Sequence, residues 1–133
     1  MNKLLVLVFF LHFMSFFSQA QHAKVDSLLN KWKESYNKQD YEKSYALYAS
    51  FYKDKVDLGK FTKSLNSIFQ LMGPIKSFKY VSFNGQYYKY LFFGQNAVEA
   101  DVIIVVDVDN KFRYLNFEAI GGKGDPPPIG KMD

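Results

Sequence analysis

The spacing of apolar residues changes once along this chain, at Gly73-Pro74, and this change constrains the fold more than any other feature. Before it, apolar residues recur every three to four positions, as they do on one face of a helix. After it, they alternate or form runs of β-branched and aromatic residues, which is typical of strands. We therefore expect an α+β domain in which helices come first and pack on an antiparallel sheet.

The spacing predicts three helices before Pro74. The first is amphipathic and covers residues 24–38. Asp40 is the expected N-cap of a second helix that ends near Lys53. The third helix begins after an N-cap at Asp57 and ends at Gly73, where glycine and the following proline stop it.

Four strands are predicted after Pro74, and they cover residues 75–83, 87–93, 97–108 and 111–120. Asn84-Gly85 predicts a two-residue hairpin, Gly94-Gln95-Asn96 a longer turn, and Asp109-Asn110 a tight turn. Short turns between successive strands predict an antiparallel meander. In the third strand one face is expected to be apolar and the other acidic. The apolar positions are Val98, Ala100, Val102, Ile104, Val106 and Val108, and the acidic ones are Glu99, Asp101, Asp107 and Asp109.

Residues 1–20 have the pattern of a cleaved secretory signal peptide: Lys3, an apolar run from Leu4 to Phe17, and a small-residue end. The run is shorter than the roughly 20 residues that a membrane-spanning helix needs. The chain has no cysteine to carry a lipid. We expect a single domain over residues 21–120, a flexible tail rich in Gly and Pro over residues 121–133, no membrane anchor after cleavage, and a location in the periplasm or the medium.

Composition argues against several kinds of site. The net charge of +4 is spread along the chain, and Arg113 is its only arginine, so nucleic acid is not an expected partner. With no cysteine, and with His22 as the one histidine beyond the signal peptide, neither a metal site nor a histidine triad is expected. No cofactor is predicted. Most acids are assigned to helix caps or polar faces, and Glu118 is the one without a clear assignment.

The order of elements resembles the nuclear transport factor 2-like superfamily, which includes ketosteroid isomerase, and especially its small exported bacterial members of unknown function. Three segments carry the resemblance: residues 32–36, residues 37–43, and residues 57–73 with the strand that follows Pro74. It covers residues 24–120. It implies a cone-shaped roll, with three helices on a curved four-stranded sheet, a pocket between helices and sheet, and pairing of two copies through the outer sheet face.

The leading hypothesis is an exported, non-enzymatic module that binds a small apolar ligand in this pocket or an exported protein partner, and that forms a homodimer. The residues expected to line the pocket are Trp32, Tyr36, Tyr45, Tyr48, Phe92 and Glu118. One alternative is a cofactor-free isomerase, dehydratase or hydrolase that uses a carboxylate buried beside a tyrosine. Another is a free-standing accessory domain of a larger enzyme. The sequence leaves open whether the cone is filled or hollow.

Overall fold

A computed structural model describes Lys3 and residues 22–121. Four helical segments precede four strands: α1 covers residues 22–37, and the others are α2 (Tyr41–Tyr45), α3 (Ser50–Lys53), α4 (Leu58–Met72), β1 (Ile75–Phe83), β2 (Tyr88–Gly94), β3 (Glu99–Val106) and β4 (Phe112–Gly121). The predicted α+β class is confirmed. Apart from Lys3, the predicted signal peptide lies outside the described residues, as do residues 122–133 of the predicted tail, and Gly121 is the last residue of β4.

The strands form one antiparallel sheet in the order β1-β2-β3-β4, so the predicted meander is correct and β1 and β4 are its edges. The first hairpin differs from the prediction. Phe83 pairs with Tyr88, which leaves a four-residue turn in place of a two-residue one. The Asn84 side-chain oxygen accepts hydrogen bonds from the backbone N–H groups of Gln86 and Tyr87 and thereby shapes this turn.

The two predicted helix caps are confirmed, but the predicted extent of the second helix is wrong. Asp40 and Asp57 accept hydrogen bonds from the backbone N–H groups three residues on, as N-caps do. The predicted second helix is two short ones, α2 and α3. Between them the backbone pairs with Phe112, which donates to the Leu47 carbonyl and accepts from the Ala49 N–H. These tertiary bonds replace helical ones and interrupt the helix.

The core lies between α1, α4 and the inner face of the sheet. β2 contributes Tyr88, Tyr90 and Phe92 to it, and β3 contributes Ala100, Val102 and Ile104. The predicted alternation along β3 is therefore correct over its centre. It is wrong at Val108, which is fully exposed because β3 ends at Val106 and Val108 lies in the following turn.

Two polar side chains of α1 fix the junction between α4 and β1. The Tyr36 hydroxyl donates to the Gly73 carbonyl at 3.0 Å. Asn37 makes two bonds with Ile75: its Nδ2 donates to the carbonyl at 2.9 Å, and its Oδ1 accepts from the N–H at 2.7 Å. Asn37 therefore occupies the place of a strand neighbour at the start of β1. Within residues 22–121 no helix is both long and apolar enough to cross a membrane.

Candidate functional site

Three of the aromatic residues expected to line a pocket are packed against one another. Trp32 and Tyr36 are 0% exposed and Phe92 is 1% exposed. The Trp32 ring stacks on Tyr36 with centroids 4.8 Å apart and meets Phe92 at 5.8 Å. Burial raises the pKa of the Tyr36 hydroxyl above its usual value. At this point the space between helices and sheet is filled by side chains.

Tyr45 and Tyr48 belong to a neighbouring part of the same core, centred on Phe61. Their ring centroids lie 5.1 Å and 4.9 Å from that of Phe61. The half-buried Tyr45 donates its hydroxyl to the Val56 carbonyl at 2.6 Å. Tyr48 is 3% exposed, and burial raises its pKa well above the usual value. Both tyrosines therefore have a place in the packing of the core.

Glu118 lies apart from these rings. It is exposed, and its carboxylate accepts a hydrogen bond from Asn116 Nδ2 at 2.9 Å. Asn116 pairs with Ile103, whose neighbours Val102 and Ile104 form the inner face, so Asn116 and Glu118 lie on the outer side of the sheet. Four of the surface cavities around the described residues have none of the six predicted residues in their lining.

A carboxylate does meet a tyrosine elsewhere, at Asp26 and Tyr90. The Tyr90 hydroxyl donates to Asp26 Oδ1 at 2.6 Å, and His22 Nδ1 lies 3.5 Å from Asp26 Oδ2. The His22 ring makes an edge contact with Tyr80 at 4.1 Å. Burial first, and then the hydrogen bond to Asp26, raise the pKa of Tyr90 well above its usual value. Asp26 is 35% exposed and does not line any of these cavities, so the contact ties α1 to β2.

Tyr90→Phe is expected to lower the free energy of unfolding by about 1.5 kcal/mol at pH 7, because it removes a hydrogen bond to a carboxylate. An unfolded tyrosine has a pKa of about 10, and that of folded Tyr90 is higher. The stabilisation is therefore complete below pH 10 and is lost as the pH rises toward the folded pKa. Urea unfolding at several pH values measures the difference in the free energy of unfolding between the wild type and Tyr90→Phe. This difference should become smaller above pH 10.

Tyr80→Phe is the matched control, because the Tyr80 hydroxyl makes no hydrogen bond within the described part of the chain. At pH 7 it should lower the free energy of unfolding by less than Tyr90→Phe does. A difference between the wild type and Tyr90→Phe that stays constant from pH 7 to pH 11 would contradict the role given to the Asp26 contact.

The outer face of the sheet is partly apolar and is divided by charge. Leu91, Phe93, Ile103 and Val105 are half-buried there although no described element covers them. The β1–β2 half carries Lys79 and Lys89, and the β3–β4 half carries Glu99, Asp101 and Glu118. As the alternation predicts, Glu99 and Asp101 lie opposite the core face, whereas Asp107 and Asp109 lie in the turn after β3. The surface therefore has an apolar centre between a basic half and an acidic half.

A groove runs between α4 and β4, which point in the same direction. Two cavities, of about 440 Å³ and 320 Å³, lie along it and share Ser64. The larger is lined by β4 residues 113–116 and the smaller by Phe117 and Ile120. We call the whole the α4–β4 groove, with a basic end at the larger cavity and an apolar end at the smaller one.

The basic end contains Lys55, Lys60 and Arg113 and no carboxylate among its lining residues. Phe51, which is 48% exposed, holds two of the cations: Lys55 Nζ lies 4.1 Å from the ring centroid and Arg113 Cζ lies 4.5 Å from it. Next to this ring, burial and then proximity to Tyr45 raise the pKa of Tyr52 to about 12. The tyrosine hydroxyl therefore stays neutral, and the end is positively charged.

Sequence reasoning did not identify this groove. Arg113 is the only arginine of the chain and lies in the predicted fourth strand, and it was the one feature of the sequence that pointed to a charged site there. Phe51 and Lys60 belong to the predicted second and third helices and Lys55 lies between them, and nothing in their spacing places them beside β4. Within residues 22–121 no three His, Cys, Asp or Glu side chains converge in a way that would hold a metal ion.

No protein-family description, curated protein or solved structure matches this chain.

Proposed function

We propose that this protein is an exported, non-enzymatic interaction module that acts through its surface and pairs with a second copy through the outer sheet face. The burial of the expected pocket residues is the main observation that favours a surface site over an internal pocket. Among the expected pocket residues, the Trp32 ring stacks on Tyr36 and contacts Phe92 at a tilt, and all three are no more than 1% exposed. A ligand at their position would have to displace a well-packed core, at a cost of several kcal/mol.

The charges of the outer face support pairing between identical copies. A two-fold axis parallel to the strands places β1 and β2 of one copy opposite β4 and β3 of the other. The basic half, with Lys79 and Lys89, then faces the acidic half, with Glu99 and Asp101, and the reverse contact forms at the same time. Leu91 and Ile103 lie at the centre, where apolar contacts contribute most to association.

Ile103→Asp is expected to weaken this dimer by about 30-fold or more, because it places a charge at the apolar centre of the interface. Native mass spectrometry and sedimentation velocity, from micromolar protein downward, measure the association. Val108→Asp is the matched control: it makes the same kind of change in the turn after β3, at a fully exposed side chain away from the outer face.

Charge inversion provides a second test that leaves the apolar residues in place. Lys79→Glu with Lys89→Glu makes both halves acidic and should weaken the dimer, whereas adding Glu99→Lys and Asp101→Lys inverts both halves and should restore it. A wild-type protein that is monomeric at 100 micromolar, about the range of weak specific dimers, would contradict the pairing. A co-purified small molecule, seen as extra mass, would support the ligand hypothesis instead.

A further inference from the structure

The basic end of the α4–β4 groove concentrates positive charge, and no carboxylate is among the residues that line it. Lys55 and Arg113 both lie within 4.5 Å of the Phe51 ring centroid. The ion pairs within residues 22–121 are His22 with Asp26 and Lys38 with Glu34, so neither cation has a carboxylate partner there. Each cation gains a cation–π contact with this ring, but the two like charges repel each other. This arrangement is complementary to an anionic group from another molecule.

The other end of the groove has an apolar floor, while Lys63, Ser64 and Ser67 of α4 also line it. Ile68, Phe117 and Ile120 form its floor with 3–6% exposure, and Leu71 is 49% exposed beside them. Residues 113–120 of β4 run along the whole length, which is about 23 Å for seven steps of about 3.3 Å each. A single bound ion fills one end only. An extended chain reaches both.

The free edge of β4 offers backbone groups to such a chain. β4 is an edge strand. In the described part of the protein, the edge of β4 that faces away from β3 is paired at Phe112, through the bridge to Tyr48. Arg113 and Glu118 are extra residues at irregularities in the pairing with β3, so Tyr114–Phe117 is the regular stretch between them. Unpaired N–H and C=O groups on an edge strand accept an extended peptide as an added strand.

We propose that the α4–β4 groove binds an extended acidic segment of a partner protein, which adds to the free edge of β4. Asp or Glu side chains of that segment pair with Arg113, Lys55 and Lys60, and its apolar side chains cover Phe117 and Ile120. The segment contains no proline at the positions that donate to β4, because proline has no N–H. This inference rests on the proposed function, since it names the partner chemistry of an interaction module.

The experiment uses protein produced from the full-length chain and an array of random nine-residue peptides. Bound peptides are expected to be enriched in Asp and Glu together with apolar residues, and depleted in proline. For the strongest peptide, measured in solution, Arg113→Glu and Lys60→Glu should each lower affinity at least about tenfold. Lys76→Glu, the same charge change on the exposed opposite edge, should leave affinity within about twofold.

Several results would overturn the groove assignment. They are an array without bound peptides, a bound set without excess acid, and equal effects of Arg113→Glu and Lys76→Glu. A scrambled peptide, or RNA, that competes as well as the parent peptide would reduce the groove to a general polyanion site. Dimer formation is measured separately on the outer face. A dimer without peptide binding therefore rejects this inference alone, and peptide binding by a monomer rejects the proposed pairing alone.

Discussion

Trp32→Ala is expected to lower the free energy of unfolding by about 4 kcal/mol, because it leaves a large cavity at the centre of the core. Trp32 is fully buried, and its ring contacts Tyr36, Phe92 and Phe117 at centroid distances of 4.8, 5.8 and 6.1 Å. Those rings come from α1, β2 and β4, so their packing cannot close over the space without moving several elements. Urea unfolding followed by circular dichroism measures the loss.

Two further variants make the Trp32 result interpretable. Trp32→Phe retains a ring and should cost less than half as much as the alanine variant. Val108→Ala shortens an apolar side chain that is fully exposed, and should change stability by less than about 0.5 kcal/mol. A loss below about 1.5 kcal/mol for Trp32→Ala would mean that the interior is loosely packed. That result would restore the pocket hypothesis and weaken the proposed surface function.

Gly94→Ala is expected to lower the free energy of unfolding by about 3 kcal/mol, because the end of β2 lies against the end of α4 with no room for a side chain. A Cβ at Gly94 would lie 2.5 Å from the Met72 carbonyl oxygen and 3.0 Å from Met72 Cβ. Neither backbone is free to move. The Gly94 N–H donates to the Val98 carbonyl, and the Met72 carbonyl accepts from the Asn96 N–H. Thermal unfolding of the variant measures the effect.

Gly85→Ala separates this steric effect from the general cost of replacing a glycine. A Cβ at Gly85 would meet no heavy atom within 4 Å, but the φ of Gly85 is +92°, so the penalty there is the backbone strain of about 1 kcal/mol. Equal losses at Gly94 and Gly85 would show that α4 and β2 can separate at little cost. Because Gly94 lies so close to Met72, we expect Gly94→Ala to lose more stability than Gly85→Ala.

Local patterns were enough to predict most elements of this fold. The caps at Asp40 and Asp57 need only their own helices, and the strand run over Ile75–Phe83 agrees with β1 at both ends. The second helix was wrong for a reason that no local pattern contains. Leu47 and Ala49 bond to Phe112, more than sixty residues away, and those bonds interrupt a sequence with good helical spacing. The cone shape stays a prediction.

The sequence by itself determined the order of helices and strands and the inner face of β3, because hydrophobic period and turn chemistry act between near neighbours. Only the tertiary structure decided how the interior is used and which charges meet. The Trp32 ring packs against Phe92, and the Phe51 ring brings Lys55 beside Arg113. Both contacts join residues distant in sequence, and a contact across the fold depends on the packing of whole elements, which the spacing within one element does not specify.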